Sequence, residues 1–185
     1  SIEVREAVIR AIRDWKADIV VSHRPNDYHP DHRYAGMVMQ DAAYLVAVPN
    51  ICPDTPRLEK NPVFMYFLDE FQKPHPFRAD VAVDVSDVAR TKFDALDAMD
   101  SQMYEWLPWV AGRLDQVPDD RAGRRKWLED FLGPDFERWT DHHRDALAER
   151  YGDSHAAKVK YAESFELCEY GRQPHRDELW DMFPR

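Results

Sequence analysis

A short apolar run, Ile19-Val20-Val21, stands between two amphipathic segments and leads straight into a polar turn. That order limits the folds open to the chain more than any other feature. Ahead of the run, Val4, Val8, Ala11, Ile12 and Trp15 share one face at helical spacing. Behind it, His23 to Pro30 form a polar, proline-containing turn, and helical character resumes at Asp31 and runs through Val48, with Pro30 suited to a first helical position. Helix, strand, loop, helix in sequence predicts an α/β fold with parallel strands. Sites in such folds form beyond the carboxyl ends of the strands, which is where the turn falls.

The rest of the chain extends this pattern. Residues 49–62 carry four prolines and read as a loop, while 63–68 and 81–85 read as strands. Ser86 is a plausible N-cap for a helix reaching about Trp106, with Val88, Leu96, Met99 and Met103 as its inner stripe. From Asp119 two helical segments are expected, with Gly133 and Gly152 as their stops. The tail from Tyr161 is mixed, with a terminal helix at best, and no repeat or low-complexity tract is found. A length of 185 residues suits one domain over 1–185. Its helical region at about 105–150, with Trp106, Trp109, Trp127 and Trp139, could cover a site or serve as a homo-oligomer contact.

Composition narrows the function classes. A net charge of -10 argues against a nucleic-acid surface, which needs clustered Lys and Arg to neutralise phosphates. Cys52 and Cys168 show no metal or redox spacing and suit reduced thiols in a cytoplasmic protein. No run approaches the roughly 18 apolar residues of a membrane span, and the charged opening lacks the apolar core of a signal peptide. The chain opens at Ser1 inside an amphipathic pattern, which suggests that the gene product starts further upstream.

The turn itself carries the chemistry. Asp27, His29, Asp31 and His32 fall within six positions. His and Asp are suitable ligands for a hydrolytic cation, and a carboxylate commonly fixes a histidine's tautomer. His29 and His32, three apart at a helix start, can project toward one point, with Asp31 between them. The alternative is a polar helix N-terminus, in which Asp31 complements the helix dipole and the histidines are solvated. Asp27 is a candidate substrate or supporting group, set against simple turn chemistry. His75 lies in a loop that could approach the same sheet edge, whereas His142, His143, His155 and His175 read as solvated.

The stretch Asp27-Tyr28-His29-Pro30-Asp31-His32-Arg33-Tyr34-Ala35-Gly36 resembles the second signature of the LmbE-like, or PIG-L, family of zinc-dependent N-deacetylases. The segment from Val83 to Gln102 resembles that family's strand, turn and Lys-containing helix, and Tyr161 to Pro174 its C-terminal element. The resemblance implies a Rossmann-like, largely parallel sheet flanked by helices. It also implies that His32 is a zinc ligand, that His29 is a general acid stabilising the oxyanion, and that Asp31 holds His29 in its tautomer. Glu163 matches an acidic position recurring in relatives and is a candidate substrate contact. The family's first signature, a His-Pro-Asp-Asp-type stretch, is absent, so the N-terminal part of the sheet and half the active site are missing and the chain alone should bind zinc poorly.

The implied function is removal of an acetyl group from an N-acetylated amino sugar or its conjugate, with Zn²⁺, or Fe²⁺ or Co²⁺, as cofactor. Two alternatives stand beside it: an amidase acting on a thiol-sugar conjugate or another amide, and a non-catalytic binding protein that keeps the fold.

Overall fold

The computed structural model describes residues 1–184, and among these it forms eight α-helices and four strands. In chain order they are α1 (Ile2–Trp15), β1 (Ile19–Ser22), α2 (Pro30–Leu45), β2 (Val63–Phe67), β3 (Val81–Asp84), α3 (Ala89–Asp97), α4 (Leu107–Val110), α5 (Arg121–His142), α6 (Arg144–Tyr151), α7 (Asp153–Ala156), β4 (Ala162–Gly171) and α8 (Arg176–Asp181). The chain divides into two compact units. One takes Ser1 to Val81 and the residues from Ser164 on; the other takes Ala82 to Glu163.

The sheet has the order β1-β2-β4-β3. β1 and β2 are parallel, from Ile19 opposite Val63 to Ser22 opposite Tyr66. β2 and β4 are antiparallel, with Tyr66 opposite Glu166 and Phe67 opposite Phe165. β3 also runs against β4: Asp80 N–H donates to Phe165 O at 3.0 Å in the first unit, and Val85 N–H to Tyr161 O at 2.9 Å in the second. The fold is therefore α/β as expected, but the sheet is mixed and mostly antiparallel rather than largely parallel. An apolar run signals a strand without its direction, and β4 was hidden in a tail read as mixed. Its alternation of buried and half-buried residues becomes clear only once Cys168, Glu166 and Ser164 are seen to face inward.

In the first unit, α1 starts under Ser1, whose hydroxyl accepts from Val4 N–H at 3.4 Å, and stops at Lys16 in the left-handed region, φ 53°. Its buried stripe is Ile9, Ile12 and Arg13, while Val4 and Trp15 are exposed, so the inner face is turned from the expected one. The cause is Arg13. Its guanidinium is buried and donates to the carbonyls of Leu45, Val46, Val48, Ile51, Cys52 and Thr55 at 2.7 to 3.1 Å. These oxygens belong to the end of α2 and the loop after it, where backbone acceptors otherwise lack partners. Around Arg13, Ile9, Ile12, Val20, Ala42, Ala43, Val46, Phe64 and Cys168 form the apolar core.

The second unit packs Phe93, Met103, Tyr104, Leu128 and Phe136 into its own core. The helix expected from Ser86 to Trp106 is broken into a 3-10 turn at Ser86–Val88, α3 and a π-helical stretch at Ser101–Trp106. Gly133 does not end a helix: Gly133 and Pro134 lie inside α5, because Leu128, Phe136 and Thr140 keep one buried face on both sides of them. Tertiary burial outweighs their low helix propensity. Gly152, at φ 83°, does terminate α6.

Candidate metal centre

The end of β1 and the start of α2 build the site. Pro30 opens α2, and His29 is its N-cap: the ring Nδ1 accepts from the Asp31 N–H at 3.2 Å. With Nδ1 accepting, the neutral ring carries its proton on Nε2. Asp27 folds the turn on itself. Its Oδ1 accepts from His29 N–H at 2.8 Å, and its own N–H donates to Arg24 O at 3.2 Å. Arg33 then clasps the turn from the helix, donating to the carbonyls of Asp27 and Tyr28 at 3.0 and 2.8 Å.

These contacts bring two histidines onto one carboxylate. His32 Nδ1 lies 3.1 Å from Asp27 Oδ1, and His23 Nδ1 lies 3.7 Å from Asp27 Oδ2. The His23 and His32 rings stack with centroids 4.1 Å apart and planes 6° from parallel. Gly36 allows this approach, since a Cβ there would run into the His23 carbonyl oxygen. The Asp27 side chain is only 8% exposed, against 35% for His23 and 38% for His32, so the carboxylate is the floor and the rings are the walls. Burial first, and then the neighbouring His32, push the His23 ring below the usual histidine range. Phe67 tilts against His23, and Tyr28 meets His29 and His32 edge-on.

One atom from each of His23, Asp27 and His32 falls within 4.8 Å of the others. Donors bound tetrahedrally to Zn²⁺ at its usual ligand distances stand about 3.3 Å apart. The separations of 3.1 Å to Asp27 Oδ1 and 3.7 Å to Asp27 Oδ2 lie near that value, and a set with one atom from each residue spreads no wider than 4.8 Å. The donor set, two imidazoles and a carboxylate with one position left over, is the kind that a catalytic divalent cation takes. The three residues therefore fit a metal ion, without deciding which one.

The other sequence candidates fall differently. His29 stays beside the group, its ring centroid 4.8 Å from that of His32. The Asp31 carboxylate is 89% exposed and 3.9 Å from His29 Nδ1, so His29 is fixed by the backbone N–H of Asp31 and not by its side chain. Glu163 belongs to the second unit, where it pairs with Lys92 at 2.5 Å, and Lys92 in turn lies 3.7 Å from the Phe136 ring centroid. His75 meets the Arg24 guanidinium, which donates to its carbonyl at 3.0 Å. His23 was not among the sequence candidates. Its signal was position: it is the first residue past the carboxyl end of β1 and four residues ahead of Asp27.

No protein-family profile matches the chain. Solved structures do share its fold. The conserved protein TT1542 from Thermus thermophilus is 19% identical, with a TM-score of 0.51 over 93% of this chain and 61% of its own. GalB, the 4-carboxy-2-hydroxymuconate hydratase of Pseudomonas putida, is 16% identical, with a TM-score of 0.59 over 94% of this chain and 60% of its own. The N,N'-diacetylchitobiose deacetylase of Pyrococcus horikoshii is 20% identical, with a TM-score of 0.50 over 91% of this chain and 52% of its own. The chain thus spans between 52% and 61% of the length of these neighbours.

Proposed function

We propose that this chain is the C-terminal portion of a metal-dependent N-deacetylase of the LmbE-like, or PIG-L, kind, acting on an N-acetylglucosaminyl-type substrate. The observation that carries the reading is the convergence of His23, Asp27 and His32 on one point beside His29 at a helix start. The likeness to a chitobiose deacetylase supports it at the level of fold. His23, Asp27 and His32 would hold the cation. When bound, such an ion supplies Lewis acidity and lowers the pKa of water.

The chain's own residues have three tasks in amide hydrolysis. Asp27, buried and hydrogen-bonded to the His29 N–H, is held with its carboxylate facing the His32 and His23 rings. His29 presents Nε2–H to the reacting carbonyl, where a donor stabilises the oxyanion; it would pass that proton to the nitrogen as the C–N bond breaks and take in its place the proton given up by the attacking water, so that acetate and the free amine leave a neutral ring behind. The Asp31 backbone N–H, donating to His29 Nδ1 at 3.2 Å, holds the ring in the tautomer that carries its proton on Nε2. A second reading follows from the likeness to GalB: the same cluster would serve addition of water to a carbon–carbon double bond.

Acetate release from N-acetylglucosaminyl compounds, measured with metal content, tests the proposal. His29→Ala is expected to abolish turnover with metal retained, and His32→Ala to lose the metal. Equal metal loss in both variants would overturn these roles. Hydration of an unsaturated acid without acetate release would favour the second reading.

A further inference from the structure

On the sheet face that carries Tyr66 and Glu166, the first unit holds a cavity of about 790 Å³ that none of His23, Asp27 and His32 lines. Arg24, Arg78 and the exposed Glu169 line it, and its buried carboxylate is Glu166, on β4, whose side chain is only 9% exposed. Oε2 accepts from Arg78 N–H at 2.9 Å and lies 3.8 Å from Arg24 Nη1. Oε1 makes no hydrogen bond among the described residues.

Charge accounting at this wall leaves a remainder. The Arg24 guanidinium is committed to Asp69, with hydrogen bonds of 2.7 and 2.5 Å, and donates further to the carbonyls of Phe71 and His75. Asp69 and Glu166 therefore share one buried cation. The Arg78 guanidinium is 79% exposed and held 3.0 Å from Asp80. One negative charge beside the cavity has no full partner, and a poorly matched buried charge is costly. The remaining walls suit an organic cation. Tyr170 offers a ring, which attracts cations, and Pro74 and Pro76 offer apolar surface for a carbon chain, while the Phe77 ring already lies under the Arg24 guanidinium, its centroid 6.0 Å away. The Tyr66 hydroxyl, held by Gln40 at 2.5 Å and Cys168 at 3.0 Å, is kept neutral by burial first and then by the Cys168 contact.

We propose that this cavity binds an alkylammonium ligand, with Glu166 as its counter-charge and Tyr170 as its flank. An anion would meet Glu166 directly, and a neutral polyol would leave the charge unmatched. The proposal stands independently of the deacetylase reading, because it uses none of the residues assigned there.

The test titrates butylammonium chloride into the chain at 150 mM salt, about physiological ionic strength, with 1-butanol as the neutral probe of similar shape. Binding is followed by NMR shift changes. Saturable binding of the ammonium but not the alcohol is expected, weakened at least about tenfold in Glu166→Gln and about threefold in Tyr170→Ala. Equal affinity in the wild type and Glu166→Gln, or equal affinity for the alcohol, overturns the proposal. Should Glu166→Gln fail to fold, Tyr170→Arg serves instead: Tyr170 is 52% exposed and tolerates replacement, and the added cation must abolish binding. Undiminished binding in Tyr170→Arg overturns it equally.

Discussion

Both units hold an aspartate against a histidine, and the two pairs are nearly equal in length: Asp27 to His32 at 3.1 Å and Asp84 to His155 at 2.9 Å. Their surroundings differ. Asp27 has a second imidazole, His23, on its other oxygen, and its side chain is 8% exposed. Asp84 gives its other oxygen to the Ser86 N–H at 2.9 Å, and the His155 ring stacks on Tyr151, which offers no lone pair of comparable strength. One pair thus belongs to a three-donor group and the other closes a turn. A histidine–aspartate distance alone says little about metal binding; what matters is how many donor atoms face a common point.

The comparison breaks if the two pairs respond alike to substitution. Asp27→Ala and His32→Ala are expected to weaken Co²⁺ uptake, read from its visible absorption, by about 100-fold or more, while Asp84→Ala leaves it unchanged. Gly36→Ala forces α2 away from the His23 carbonyl. It should weaken uptake by about tenfold and cost about 1–3 kcal/mol of stability, measured by denaturant unfolding. His23→Phe sharpens the comparison further, because it keeps a ring stacked on His32 while removing the donor. A fall of several-fold, on the order of a weakened ligand set, is expected, and unchanged uptake would reduce His23 to packing.

The smallest effect lies in the second unit. Burial tends to raise Asp84, but the hydrogen bonds from Ser86 and His155 prevail and hold its carboxyl below the usual range. A carboxylate with a depressed folded pKa stabilises the fold above its unfolded pKa of about 3.9. That stabilisation is lost as pH falls through the lower folded value. Asp84→Asn should therefore cost about 1 kcal/mol at pH 7 and progressively less as the pH falls below about 3.9. Parallel stability curves for the two proteins across that range would refute the assignment.

Much of the site was legible because it is contiguous. Asp27, His29, Pro30 and His32 lie within one turn and the first helical turn after it, so spacing alone brings them together. His23 was harder to find, since only the close approach permitted at Gly36 stacks it on His32. The Asp31 carboxylate, between two histidines in sequence, is exposed, and it is the Asp31 N–H that meets the His29 ring. Glu163 entered by resemblance alone, and in the second unit it pairs with Lys92.

By itself the sequence determined the α/β class, the first helix and strand, the proline-led start of α2 and the turn that carries the candidate ligands. Each of these follows from periodicity or from contacts within a few residues. Only the tertiary structure decided the direction of β4, the face α1 buries and the partners of Arg13. It also decided the shared charge of Asp69 and Glu166 around Arg24 and the place of His23 in the candidate metal-binding group. Those depend on groups tens of residues apart in the chain, and no local pattern records which distant carbonyl or carboxylate a buried guanidinium will meet.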